Sequence, residues 1–265
     1  MTSIERVHRT GALALVVGSL LALVWIPRPA RAFGDAGAFD PRALLTGSAT
    51  EPPHPSALAR WSWELVQRTS APARLHPTSV RADDPEIVNG PFLYWSGDAD
   101  VPPLTGSEMA GLRQFLSLGG LLFVDDAGAG PRGEPSGFGR AARRELARVL
   151  PERTAVTLGR EHVLFRTFYL LQRALGRVEG PPTLEAIVRG TDTQVLLSEH
   201  DLGGALARGP EGASWERQPI PGGEAQREQA IRFAINVSMY ALCSTYKDDQ
   251  VHAPFLMRRR ARLFP

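Results

Sequence analysis

The chain has 265 residues, of which 43% are hydrophobic, 22% charged and 8% aromatic, which excludes a wholly disordered, collagen-like, coiled-coil or polytopic membrane protein. Its formal charge of +2 comes from the start: residues 1–32 hold four arginines against one glutamate, so the rest lies one charge on the acidic side of neutral, and no bulk basic charge argues for nucleic acid. A single cysteine, Cys243, excludes an internal disulfide framework and any structural zinc site built from several thiolates.

Arg6 and Arg9 precede an uncharged apolar stretch from Gly11 to Ile26, and Ala30-Arg31-Ala32 follows. A signal peptidase reads that order, so residues 1–32 are expected to be a signal peptide cleaved after Ala32, leaving an exported, periplasmic protein. The apolar stretch is short of the roughly 20 residues that span a bilayer, which leaves an N-terminal membrane anchor as the minor alternative.

Arg42 to Thr46 reads as a short buried strand ended by Gly47. Ser56 then caps a helix to Arg68 with Leu58, Trp61, Trp63, Leu65 and Val66 at mostly helical spacing. Ala73 to Leu75 is a short extended piece, and Pro91 to Ser96 is an aromatic strand ending at Gly97-Asp98. Thr105 and Glu108 form a capping box for a helix from Gly106 to Leu118, and Met109, Leu112, Phe115 and Leu116 are its apolar face. Gly119-Gly120 stops that helix and Leu121 to Val124 begins a buried strand. Asp125 to Gly139, rich in Gly and Pro, reads as a long surface loop over the carboxyl edge of the sheet.

Beyond the loop, a helix is expected at Arg140 to Leu150, an extended piece at Ala155 to Leu158 and a helix at Phe165 to Leu175. Two extended segments, Thr183 to Arg189 and Thr193 to Ser198, and a last helix from Gln226 to Leu242 complete one α/β domain over residues 33–246. Residues 247–265 form a basic C-terminal tail. The alternation is that of a three-layer fold, a mostly parallel sheet flanked by helices.

The segments "RALLTG", "RWSWELVQRTSAP", "PFLYWSGDADVPPLTGSEMAGLRQFLSLGGLLFVDDA", the helix ending "RVLP", "EHVLFRTFY" and "REQAIRFAINVSMYAL" together resemble domain of unknown function family 4159. The resemblance spans Phe39 to Tyr246, and its middle block is the most specific part. It implies a flavodoxin-like sheet related to the class I glutamine amidotransferase fold, in bacterial proteins that are often exported or membrane-tethered. It also implies a setting near MoxR-type AAA ATPases and von Willebrand A domain proteins. No activity comes with the family, and fold is inherited more safely than function.

Amidotransferases place a cysteine on a tight strand-to-helix turn, with backbone N–H groups facing the oxyanion. Here that turn is Val124-Asp125-Asp126-Ala127-Gly128, with aspartates where a thiol is needed, and Cys243 is expected to be a small buried hydrophobe of the last helix. Glutaminase chemistry is therefore not expected. Asp125 and Asp126 are the catalytic candidates, since paired carboxylates at a strand's carboxyl end bind metals or act as acid and base. The plainer reading is that they cap loop amides with their charge solvated.

His162, beside Glu161, and His200, beside Asp201, are candidates for a base from neighbouring loops, although no spacing puts two metal ligands on one face. Trp95, Gly97, Asp98, Asp126, Gly128 and Asp201 are the candidate ligand-binding residues of a crevice at the same edge. Asn236 is expected to be a buried polar tie to the sheet or a ligand contact. Arg258, Arg259, Arg260 and Arg262, flanked by apolar residues, suit an anionic membrane surface or an acidic partner. These observations favour a non-catalytic binding or assembly component of an envelope system, with no cofactor. A metal-dependent or acid/base hydrolase at Asp125-Asp126 and a small-molecule or carbohydrate sensor at the crevice are the alternatives.

Overall fold

The computed structural model describes residues 37–261, with side chains to residue 244. The expected signal peptide and the tail arginines lie outside the described residues or side chains.

Seven strands form one sheet: β1 (Arg42–Leu45), β2 (Ser79–Arg81), β3 (Phe92–Gly97), β4 (Leu121–Asp126), β5 (Ala155–Leu158), β6 (Leu184–Arg189) and β7 (Asp192–Ser198). Their order is β2-β1-β3-β4-β7-β6-β5. The five from β2 to β7 are parallel, whereas β6 and β5 extend the edge antiparallel. Among the described residues five α-helices flank the sheet: α1 (Ala57–Thr69), α2 (Gly106–Ser117), α3 (Gly137–Val149), α4 (Leu202–Leu206) and α5 (Gly223–Ala261). This is the expected three-layer, mostly parallel α/β architecture, and its parallel part follows the 2-1-3-4 order of flavodoxin-like sheets.

The central strands are apolar on both faces because helices cover both. Tyr94 and Phe123 point toward α1, α4 and α5, whereas Trp95 and Val124 point toward α2 and α3. Trp61 anchors the first side, in ring contact with Phe39, Phe92, Tyr94 and Phe123. Its indole N–H donates to the Ala234 carbonyl at 2.9 Å and to Ser238 Oγ at 2.7 Å, which locks α1 onto α5. On the second side the capping box is present as the spacing predicts, with Thr105 and Glu108 each satisfying the other's backbone N–H.

The structure departs from the sequence reading at several elements. Phe165 to Leu175 is not a helix: only Val163–Arg166 makes a single 3-10 turn. The Asn236 amide replaces helical bonding there, donating to the Leu164 and Tyr169 carbonyls and accepting from the Tyr169 N–H, so the tie runs to this segment and not to the sheet. Ala73 forms one isolated bridge to Phe39, and the edge strand is Ser79–Arg81. The Ser56 hydroxyl does not cap α1, because it is engaged with both backbone groups of Arg208. Trp63 and Cys243 are exposed, the second against expectation for a buried thiol. The last helix runs well past Leu242, through most of the tail, to Ala261.

Candidate functional site

Strand alternation sends the two adjacent aspartates at the end of β4 to opposite faces. Asp125 enters the layer of α1, α4 and α5 and is fully buried. It accepts the Tyr94 hydroxyl at 2.7 Å, the Leu202 N–H at 3.0 Å and the Gly203 N–H at 2.8 Å. Burial, followed by the charge of nearby Asp201, pushes its carboxyl up to about 6, although the bonds from Gly203, Leu202 and Tyr94 oppose that rise. Burial and the Asp125 charge likewise hold the Tyr94 phenol well above its ordinary range. Gly203 has to be glycine, since a Cβ there would lie 2.4 Å from the Tyr94 hydroxyl.

Asp201 extends this cluster. Its backbone is left-handed at φ 52°, and its carboxylate caps α4 through the Gly204 N–H at 2.8 Å while pairing with Arg177. His54 Nε2 lies 3.3 Å from Asp201 Oδ1, and His54 Nδ1 lies 3.1 Å from Glu216 Oε1. With a carboxylate on each ring nitrogen, only the imidazolium satisfies both contacts. Burial pulls the His54 pKa down, but Asp201 and Glu216 together outweigh it and raise it above 6.5.

Asp126 belongs to the other face. It accepts the Gly128 N–H at 3.2 Å, the Ser136 N–H at 2.8 Å and the Ser136 hydroxyl, while Ser136 in turn caps α3 through the Gly139 N–H. A Cβ at Gly139 would strike its carboxylate at 2.1 Å. The irregular loop from Ala127 to Ser136 is thus pinned at both ends by one side chain. Asp126 caps loop amides as the plainer reading expects, whereas Asp125 takes the first two amides of α4, and neither is solvated: Asp125 is 0% and Asp126 1% exposed.

Neither candidate histidine joins them. His200 is fully buried, with Nε2 2.8 Å from the Pro181 carbonyl and Nδ1 3.2 Å from Ser198 Oγ, and burial brings its pKa down to about 4. His162 lines a 210 Å³ cavity with Pro91, Gly120, Leu121 and Gln194 at the amino ends of β3, β4 and β7. That is the opposite edge, about 17 Å away along a six-residue strand. Burial, partly offset by Glu161, lowers its pKa. Among the described residues no group of three or more His, Cys, Asp or Glu side chains is arranged to hold a metal ion.

Three of the candidate ligand-binding residues do come together. Trp95, Gly97 and Asp98 line a 360 Å³ cavity between the carboxyl ends of β1 and β3, with Glu51, Pro52, Pro53, Pro55, Ser96 and Asp100 completing its walls. Asp126, Gly128 and Asp201 do not line it. His54 and Tyr94 went unnoticed in the sequence. His54 sits in a Pro-rich stretch 162 positions from Glu216, and Tyr94 had the pattern of a core strand aromatic. Only the strand-end position of Asp125 and the Asp201 beside His200 hinted at the cluster.

The model of the family described as Domain of unknown function (DUF4159) matches residues 43–242, so the chain belongs to that family. No curated protein matches the chain.

Proposed function

We propose that this DUF4159 chain is a non-catalytic binding or assembly component of the bacterial envelope, exported through its N-terminal segment and working with a MoxR-type ATPase and a von Willebrand A domain partner. One observation carries the reading: both carboxylates at the end of β4, where related folds keep reactive groups, are consumed by internal hydrogen bonds. Asp126 uses its bonds to hold the loop from Gly128 to Ser136, whose Arg132, Glu134 and Pro135 are exposed. A loop fixed in advance loses little entropy on docking, which suits a contact surface. The tail arginines provide a second contact, to an acidic partner or an anionic membrane surface.

The test is cross-linking of tagged protein in its native envelope followed by affinity capture, comparing wild type, Asp126→Asn, a deletion within the loop and a truncation before Met257. Capture of the same partners by wild type and Asp126→Asn, with loss on loop deletion or truncation, supports the assembly role. Absence of partners from every sample contradicts it.

A second reading is favoured by the cavity itself. Trp95, Gly97 and Asp98 meet where β1 and β3 diverge, the position at which open α/β sheets take small ligands, so a small-molecule sensor at that crevice is the alternative role.

A further inference from the structure

His54 is fixed between Pro53 and Pro55, and its buried ring meets carboxylates from two different elements. Those carboxylates are anchored very differently. Asp201 is fully buried and is also tied to the Gly204 N–H and to Arg177, so it stays in place whatever the ring does. Glu216 sits on the loop of residues 208–217; its side chain reaches solvent, and its other ion pair is with Arg217 at 3.5 Å.

That loop is a small hairpin in its own right. Arg208 bridges Trp215, the Gly209 N–H donates to the Ser214 carbonyl at 3.0 Å, and the Arg208 guanidinium donates to the Gly212 and Ala213 carbonyls. Residues 210–214 are exposed. The hairpin meets the body through the Arg208 backbone on the Ser56 hydroxyl, the Glu216 N–H on the Ala207 carbonyl at 3.0 Å, and Trp215 against the guanidiniums of Arg60 and Arg227. The remaining tie is Glu216 on His54.

Only the imidazolium donates to both carboxylates, because a neutral ring has one N–H and one lone pair. On losing its proton the ring keeps the N–H toward Asp201, since a buried carboxylate stripped of a donor costs far more than one that turns into water. The lone pair then faces Glu216 and repels it. We propose that His54 is a proton-operated latch: the imidazolium holds Glu216 and closes the loop of residues 208–217, and the neutral ring releases Glu216 and loosens the loop from the body.

The two carboxylates outweigh burial and raise the His54 pKa above 6.5, so the loop is closed below the raised value and opens as pH climbs through it. Arg177 and Arg217, and Arg60, Arg208 and Arg227 around Trp215, keep their charge throughout. Asp125 faces His54 across Gly203, where a Cβ would lie 3.5 Å from the imidazole and 3.6 Å from the carboxylate. Its bonds go to Tyr94, Leu202 and Gly203, outside the loop.

The experiment is nuclear magnetic resonance of the purified protein from about pH 5 to about pH 9, following the His54 ring and the exchange protection of the Arg208 and Glu216 amides, which tie the hairpin to the body. After correction for intrinsic exchange, protection should fall about tenfold with the midpoint of the His54 titration, as loss of a charged hydrogen bond implies. Glu216→Gln keeps a side chain that donates to the neutral ring or accepts from the charged one, so its protection should not vary with pH and its His54 pKa should fall below that of wild type. His54→Gln should likewise show flat protection. A His54 that does not titrate in this range overturns the latch, as does wild-type protection that stays constant while His54 titrates. Wild-type pH dependence retained in Glu216→Gln also overturns it and assigns the change to another group, Asp125 first.

Discussion

Two places on the same carboxyl edge of this sheet treat their polar groups in opposite ways. At the end of β4, Asp125 and Asp126 each meet three donors, and the groups around them form a closed network. One gap away, between β1 and β3, Glu51 and Asp98 form no hydrogen bond or ion pair among the described residues and lie beside an open cavity. A buried charge has to be satisfied by the protein itself, whereas a group on a crevice wall is satisfied by solvent or a ligand. The first arrangement holds loops in place; the second is free to recognise something else.

Substitutions at the closed end should therefore cost stability, and those at the crevice should not. The largest effect is expected for Asp125→Ala, which strands the Tyr94 hydroxyl and the Leu202 and Gly203 N–H groups in a fully buried site. A loss of about 4 kcal/mol by urea unfolding is predicted, from several buried donors left unmet at once. Next comes Asn236→Leu, which removes three hydrogen bonds from the segment around Tyr169 and should cost about 2 kcal/mol. Hydrogen exchange at the Tyr169 amide checks that the loss is local, since that N–H donates to Asn236.

A pH series sharpens the comparison further. His54 has a raised pKa in the folded state, so its contribution is fully present below its ordinary value of 6.5 and is lost as pH rises through the higher folded value. Asp125 acts in the same direction: its proton favours the folded state below the ordinary value of 3.8, and that stabilisation is lost as pH rises to about 6. Thermal unfolding should show His54→Gln furthest below wild type near pH 6, with the gap narrowing toward pH 9. A gap that widens with pH would mean that His54 is held neutral. The smallest effect is expected for Glu51→Gln, within about 0.5 kcal/mol of wild type, as for other exposed sites.

Local patterns were legible in the sequence where the chemistry is local. The Thr105/Glu108 box needs only a three-residue spacing, and the strands Pro91 to Ser96 and Leu121 to Val124 announce themselves as unbroken apolar runs. Position at a strand end was enough to single out Asp125 and Asp126, and the Trp95, Gly97, Asp98 grouping was visible because those residues are nearly consecutive. What escaped depends on contacts distant in the chain. Phe165 to Leu175 has a helix-like composition, yet its backbone bonds to Asn236, about 70 positions away on α5. His54 acquires its role only when α4 and the loop holding Glu216 fold over it. The short helix α4 was hidden by Gly203-Gly204, which are required by the closeness of Tyr94 and Asp201 rather than by helix propensity.

The central claim, that the carboxylates of β4 hold structure while those of the crevice do not, is tested most directly by urea unfolding of Asp126→Ala and Asp98→Ala side by side at pH 7. Loss of the three bonds to Gly128 and Ser136 predicts about 2–3 kcal/mol for Asp126→Ala and less than about 0.5 kcal/mol for Asp98→Ala. Equal stability of Asp126→Ala and wild type would contradict the account, and would return the end of β4 to the list of places where a ligand or a reaction is to be sought.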